Sequence, residues 1–245
     1  MKASPVEQKE LLRLQAMDTK LAQVEHQAKA LPQHAELTAL GRTLDASKTV
    51  LTGRTGAVED ARIELARIES DVQVVEKRIA RDTDRAQHTS SIKDVQALET
   101  ELTALGKRLE ALEEIELAVM ERLEEKEARV AETDAERATT AAQVAGIEAD
   151  RDELLVDLNR QLAELARDRS AIASSIGADL AALYEKRRVV GRGNAAALLR
   201  ARTCSGCTMT LTGSDLEGVR AAPADEIVFC PDCGAILVRT EESGI

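Results

Sequence analysis

The cysteines are the residues of this sequence whose type and spacing most clearly predict chemistry. They fall in two C-x-x-C units, C-S-G-C and C-P-D-C-G, which are separated by 22 residues. Two thiolates spaced in this way bind one metal ion from a single tight turn, and a second turn completes a tetrahedron. We therefore predict one metal site with four sulfur ligands: Cys204, Cys207, Cys230 and Cys233.

The predicted metal is one structural Zn2+ ion. Four cysteines close the coordination shell, whereas a catalytic zinc keeps one position open for water. Gly206 and Gly234 suit the tight turns, because a positive φ is often needed where backbone amides close towards sulfur. Four thiolates would also hold iron, and a redox dithiol is a third interpretation, although the βαβ context typical of redox pairs is missing.

The residues around the cysteines form a small β module with few apolar side chains. The spacer is slightly longer than is usual for such sites, which a loop inserted around Gly213–Asp225 would explain. Three β-rich runs are expected: Thr208–Thr212, Ile227–Phe229 and Ile236–Arg239. The candidate core residues are Leu211, Val228, Phe229, Ile236 and Leu237. Metal binding should therefore decide whether this module folds.

The rest of the chain has the composition of long helices. Of the 245 residues none is Trp, and the single Tyr and single Phe are Tyr184 and Phe229. The first 183 residues thus lack aromatic side chains and are rich in Ala, Leu, Glu and Arg. Apolar residues recur at heptad spacing in two long seams, one on each side of a polar break at Gln87–Ser91. Pro32 interrupts the first seam.

The two seams have equal lengths around that break, which favours one antiparallel helical hairpin over a parallel homodimer of a single rod. The predicted fold class is mainly α, a long antiparallel coiled-coil hairpin with a small C-terminal β zinc-ribbon domain. The hairpin would occupy residues 1–177 with its tip near 86–92, and a short helix plus the ribbon would occupy 178–245. Residues 195–202 are compatible with a helical turn or an extended segment.

Charge is unevenly distributed along the chain, whose net charge is -11. Between residues 186 and 214 there are six basic residues and no acidic one. This segment is a candidate contact for the phosphates of RNA or DNA. The plainer interpretation is a solvated cationic helix end, which is favourable next to helix carbonyls. The candidate residues are Lys186, Arg187, Arg188, Arg192, Arg200 and Arg202.

Four segments carry a resemblance to a bacterial family of coiled-coil proteins that end in a C4-type zinc ribbon and are described as nucleic-acid-binding. They are S-S-I-K-D-V-Q-A-L-E-T-E-L (90–102), D-L-A-A-L-Y-E-K-R-R, and the two knuckles C-S-G-C-T-M and C-P-D-C-G-A-I-L. The resemblance implies a long helical hairpin with the ribbon at its base and the four cysteines as zinc ligands. Ala235 stands where the family commonly has a basic residue.

Two functional hypotheses follow. The first is a non-enzymatic adaptor that binds nucleic acid, a protein partner or both, in the context of gene regulation. The second is a protein-interaction scaffold or chaperone that uses the rod or the hairpin tip. No nucleophile–base set or phosphate loop suggests an enzyme. A cytoplasmic location is expected, because the sequence shows neither an apolar leader nor a membrane span. The oligomeric state stays open.

Overall fold

The computed structural model describes all 245 residues, which form five α-helices and a four-stranded sheet. The helices are α1 (Pro5–Lys29), α2 (Pro32–His88), α3 (Ile92–Ser175), α4 (Ala178–Val190) and α5 (Gly213–Ala221). The strands are β1 (Ala196–Arg200), β2 (Thr203–Cys204), β3 (Val228–Phe229) and β4 (Ile236–Val238), followed by a 3-10 turn at Glu241–Ser243. None of the helices combines the length and apolar character of a membrane span.

The chain packs into two compact units. We call residues Ala35–Glu148 the hairpin unit, and Met1–His34 together with Ala149–Ile245 the ribbon unit. This grouping cuts across the predicted ranges 1–177 and 178–245. The reason is that α1 and the end of α3 share a core with α4 and the sheet, as described below.

The hairpin unit consists of α2 and the first part of α3, which run antiparallel. Arg78 pairs with Glu101, whereas Arg62 contacts Glu127 at 2.6 Å. Later residues of α2 therefore pair with earlier residues of α3, as in an antiparallel hairpin. The chain reverses at Thr89–Ser91, between the two helices. The prediction of an antiparallel hairpin is confirmed.

The seam predicted from heptad spacing is the buried face of the hairpin unit. Its fully buried apolar residues are Val58, Ala61, Ile68, Leu98, Leu112 and Val119. Asp82 and Thr133 are buried in this unit too, at positions that the apolar pattern missed. Arg78, Arg81 and Arg85 surround the Asp82 carboxylate, and Arg54 donates to the Thr133 hydroxyl. These arginines supply the pairing that a buried carboxylate or hydroxyl requires.

The sheet of the ribbon unit has the strand order β2-β1-β4-β3. Its central pair, β1 and β4, is parallel, with Ala196 opposite Ile236 and Leu198 opposite Val238. The outer strands are antiparallel to their neighbours. Of residues 195–202, the strand segment 196–200 takes the extended alternative, whereas Ala201 and Arg202 form a turn with left-handed φ values of 44° and 67°.

Each face of the sheet belongs to a different core. One face contributes Ala196 and Ile236 to a cluster with side chains of α1, α4 and the residue that follows α3, namely Leu11, Leu14, Leu180, Tyr184 and Ile176. The opposite face contributes Ala197, Leu199 and Leu237 to a cluster with the cysteines. Because side chains alternate across a strand, neighbouring residues of β1 serve both cores.

A buried polar network joins α1, α3 and α4 of the ribbon unit. Asp18 accepts two hydrogen bonds from Arg169, at 2.6 and 3.2 Å, and one from the Tyr184 hydroxyl at 2.7 Å. Glu185 bridges Arg169 and Arg188 on the outer side. Nearby, the Gln15 side chain accepts from the backbone amides of β1 at Ala195 and Ala196. The network fixes the rotation of α1 and α4 relative to the sheet.

Two expectations about the ribbon are wrong. The spacer segment 213–225 is largely the helix α5 and not a loop, with Leu216 and Val219 buried one turn apart. Its two glycines, Gly213 and Gly218, conceal the helix from a propensity argument. The run Thr208–Thr212 forms only a single bridge between Thr203 and Thr210, because Thr208 has a left-handed φ of 62° that interrupts an extended chain.

We expect Arg169→Met to destabilise the ribbon unit by about 3–5 kcal/mol, because it leaves the Asp18 carboxylate buried without its charge partner. Urea unfolding followed by the fluorescence of Tyr184, the chain's only tyrosine, measures this loss. The matched control is Arg160→Met on the same helix, whose exposed pair with Asp157 is worth at most about 1 kcal/mol. Equal losses in the two variants would contradict the proposed role of the network.

We expect Tyr184 to ionise only when the ribbon unit unfolds. Burial and the hydrogen bond to Asp18 raise the pKa of Tyr184 above its ordinary value of 10.0. The unfolded chain therefore loses this proton first, so stability is retained below about pH 10 and falls as the pH rises further. Phenolate absorbance measured with circular dichroism tests this expectation, which a reversible titration near pH 10 in the folded protein would refute.

Candidate metal centre

Four cysteine sulfur atoms converge in the ribbon unit. All lie within 4.8 Å of one another, with Cys204 and Cys233 3.9 Å apart and Cys207 and Cys230 3.7 Å apart. A tetrahedron with metal–sulfur bonds of about 2.3 Å has edges of roughly 3.8 Å, so the donor set fits one tetrahedral ion. The cysteines do not form disulfides, because the two sulfur atoms of a disulfide lie only about 2.05 Å apart.

The two knuckles are built by the same pair of backbone hydrogen bonds. The amide of Cys204 donates to the Met209 carbonyl at 2.9 Å, and the amide of Cys230 donates to the Ala235 carbonyl at 2.8 Å. The residue after each second cysteine turns back, so that Thr208 donates to the Cys204 carbonyl and Gly234 to the Cys230 carbonyl. This repetition presents both sulfur pairs with the same geometry.

The two predicted turn glycines serve different purposes. Gly234 has a φ of 70°, as expected for a tight turn. The equivalent positive φ in the first knuckle falls on Thr208, at 62°, and not on Gly206. Gly206 is favoured by close packing, because a Cβ there would lie only 3.2 Å from the Ala197 Cβ, a tight contact.

Backbone amides point at three of the sulfur atoms and favour their thiolate forms. The amides of Gly206 and Cys207 donate to Cys204, that of Met209 to Cys207 and that of Ala235 to Cys233. The Met209 amide is the main cause of a lowered pKa at Cys207. At Cys204 and Cys233, burial outweighs the backbone hydrogen bonds. It raises the pKa of Cys204, and it raises the pKa of Cys233 to about 12. Metal binding must therefore displace protons from these thiols.

Ala235 is completely buried next to the second knuckle. The position where the resembling family commonly has a basic residue thus offers no exposed side chain here.

One structural residue of the ribbon was missed by the sequence argument. Arg239, after β4, donates to four backbone carbonyls around the C-terminal end of α5: those of Val219, Ala222, Pro223 and Glu226. Its positive charge also suits the carbonyl end of a helix. A lone arginine in a short polar stretch carries no sequence signal for this role, because its acceptors are backbone atoms.

The six basic residues predicted to contact nucleic acid do not form one patch. Arg187 lies over the Phe229 ring, and Arg188 contacts Glu185 and Asp18. Arg200 and Arg202 are exposed near the far end of β1, and Arg200 contacts Glu242. Lys186 and Arg192 are exposed near the other end. A five-residue strand spans about 17 Å, so these two exposed pairs are well separated.

The fold and the sulfur cluster together define a coiled-coil hairpin protein with a C4 zinc ribbon. A CT398-like coiled-coil hairpin domain matches residues 14–192, and a C4-type zinc ribbon domain matches residues 203–237. The chain belongs to this CT398-like coiled-coil hairpin family. The site accordingly holds one structural zinc ion, bound by the four cysteines.

Relatives of the same length are found in mycobacteria. The chain is 33% identical over 246 residues to the uncharacterized proteins MT2288 and Rv2229c of two Mycobacterium tuberculosis strains, and covers 98% of each. A solved structure from Mycobacterium smegmatis is 32% identical and superposes with a TM-score of 0.87, over 98% of this chain and all of that one.

More distant structures share the fold alone. CT398 from Chlamydia trachomatis is 20% identical, with a TM-score of 0.70 over 96% of this chain and 98% of that chain. HP0958 from Helicobacter pylori is 14% identical, with a TM-score of 0.52 over 97% and 98% of the two chains.

Removing zinc should unfold the ribbon while the hairpin unit stays folded. We expect Cys204→Ser, or a strong chelator, to abolish the chemical-shift dispersion of the amide signals of residues 203–237. The reason is that zinc contributes about 10–16 kcal/mol to the folding of small modules of this kind. Far-UV circular dichroism should change little, since only nine helical residues (α5) lie in this segment. Amide NMR spectra with and without zinc measure the effect, and unchanged ribbon signals in a zinc-free sample would refute it.

Proposed function

We propose that this protein is a non-enzymatic adaptor whose hairpin unit binds a protein partner. The observation that supports this best is a set of exposed apolar side chains at one level of an acidic hairpin unit. Of the large apolar residues exposed in the hairpin unit, five lie within one short segment of it. We call them the apolar band: Ile63, Val74, Ile115, Leu117 and Met120.

The pairing of the helices places these residues at the same level. Glu64 contacts Arg122 and Arg78 contacts Glu101, so α3 between 101 and 122 runs alongside α2 between 64 and 78. On α2 the band covers residues 63–74, an axial length of about 17 Å. Ile63 and Val74 are 61% exposed and Leu117 is 62% exposed. Ile63 and Val74, eleven residues apart, lie on the same face of α2.

The charge around the band indicates the character of the partner. Residues 35–148 contain 25 acidic and 16 basic residues, a net charge of -9. This surface repels the phosphates of nucleic acid and attracts a basic protein segment. We therefore propose a partner with an amphipathic, positively charged element whose apolar side chains cover the band. Exposed apolar patches that are rimmed by polar residues often mark protein interaction sites.

The band can be tested with a matched control outside it. A photo-reactive amino acid at Leu117, and separately at Val50, should crosslink one partner in cells from the first position only. Val50 is a suitable control because it is 46% exposed on α2 outside the band. With the purified partner, Leu117→Gln combined with Met120→Gln should weaken binding by about tenfold or more, whereas Val50→Gln should not. Affinity should also fall with salt.

Two results would contradict the proposal. Light scattering that shows a dimer, converted to a monomer by the Leu117→Gln and Met120→Gln pair, would assign the band to a second copy of the chain. Equal affinities of the band variant and the Val50→Gln control for the purified partner would exclude the band as the binding surface.

A second candidate function is binding of RNA or DNA by the ribbon unit, as the exposure of four basic side chains supports. They are Lys186, Arg192, Arg200 and Arg202. Gel shifts of the full chain at several salt concentrations distinguish it, because a phosphate contact weakens steeply with salt. Micromolar binding that disappears when these four residues are replaced by Gln would favour it. If the full chain binds neither RNA nor DNA at low salt, this second function is excluded and the protein-adaptor function remains.

A further inference from the structure

The guanidinium group of Arg187 lies directly beside the second zinc knuckle. Its Cζ atom is 4.2 Å from the centroid of the Phe229 ring, and Phe229 immediately precedes Cys230. Its Nη1 atom is 3.5 Å from the position that a Cβ on Gly234 would occupy, and Gly234 immediately follows Cys233. The cation therefore contacts the residues that flank both sulfur ligands of this knuckle.

Arg187 lacks the partners that an arginine in this position normally has. Its Nε atom is buried and has no hydrogen-bond partner among the protein atoms. No carboxylate lies within ion-pair distance of it, whereas the next residue, Arg188, contacts both Glu185 and Asp18. A cation that is partly withdrawn from water is costly unless a negative charge lies close by. The nearby zinc centre supplies such a charge, since four thiolates and one Zn2+ carry a net charge of about -2.

We propose that Arg187 is the counter-cation of the zinc–tetrathiolate centre and that it holds the zinc in place from α4. Its positive charge offsets the excess negative charge of the sulfur atoms and makes them weaker nucleophiles. The Phe229 ring fixes the guanidinium by a cation–π contact. Arg187 is thus a positioning residue of the metal site, and this role is independent of the partner that the hairpin unit binds.

The arrangement makes zinc retention depend on the docking of α4. Arg187 lies about one turn after Tyr184, which is anchored to Asp18 on α1. A change that shifts α4 would therefore move the counter-cation away from the knuckle. Arg187 therefore couples the zinc ion to the helical core of the ribbon unit in addition to the sheet that both cores share.

The experiment compares zinc retention in four full-length variants with that of the parent chain. Arg187→Gln removes the charge, Arg187→Lys keeps it, and Phe229→Leu removes the aromatic support. Lys186→Gln is the matched control, because it removes one exposed positive charge from the neighbouring position on α4. Zinc affinity is measured by competition with a chromophoric chelator, and thiolate nucleophilicity by the rate of alkylation with N-ethylmaleimide in the zinc-loaded protein. Circular dichroism verifies that each variant is folded.

We expect Arg187→Gln to lower zinc affinity about tenfold and to accelerate alkylation, in line with the loss of other groups that surround metal ligands. Phe229→Leu should change both quantities in the same direction but less, while Arg187→Lys and Lys186→Gln should remain close to the parent. The proposal is overturned if Arg187→Gln keeps parental affinity. It is also overturned if Lys186→Gln loses as much, which would indicate general screening, or if Arg187→Lys loses as much, which would indicate packing.

Discussion

The sulfur-bound zinc ion is the constraint on which the ribbon unit depends. Its strands have only two to five residues, too few to persist as a sheet without further support. The parallel pair β1 and β4 is the hardest element to form, because the chain must return by a long crossover connection to the end of the sheet at which β1 began. The metal closes this connection, which contains β2, both knuckles, α5 and β3. The cysteine cluster, rather than strand propensity, thus explains a sheet with this topology.

Sheet and helices support each other from opposite sides of the same strands. Ala196 and Ile236 pack against Leu11 and Tyr184, while their neighbours Ala197 and Leu237 pack towards the cysteines. The small side chains of Ala196 and Ala197 in β1 let both cores approach the backbone closely. The sequence suggested that the ribbon is almost without a core, whereas its sheet contributes side chains to two hydrophobic clusters, one on each face. This packing explains how such a small module holds a fixed position within its unit.

The sequence predicted the features that local spacing encodes. The heptad seam, the break at 89–91 and the four ligands all follow from residues close together in the chain. The Asp18–Arg169–Tyr184 network was not predictable, because Asp18 lies more than 150 residues from its two partners and because Asp18 and Arg169 resemble ordinary surface residues. The basic stretch was predictable as a charge pattern but not in its contacts: Arg187 faces a metal knuckle and Arg188 a carboxylate, which no spacing rule distinguishes from exposed Lys186 and Arg192.

The discontinuity of the ribbon unit has a consequence for its synthesis. Leu11 and Leu14 on α1 pack against residues between 176 and 236, which leave the ribosome much later than α1. At about 5–20 residues per second, the apolar face of α1 waits roughly 10–40 s for its partners. The hairpin unit, by contrast, is continuous in sequence, so its two helices can pair from the tip onwards while translation proceeds. Capture of zinc by the second knuckle therefore follows the synthesis of α1 and of the hairpin unit, and the exposed face of α1 is a natural site for chaperone protection until then.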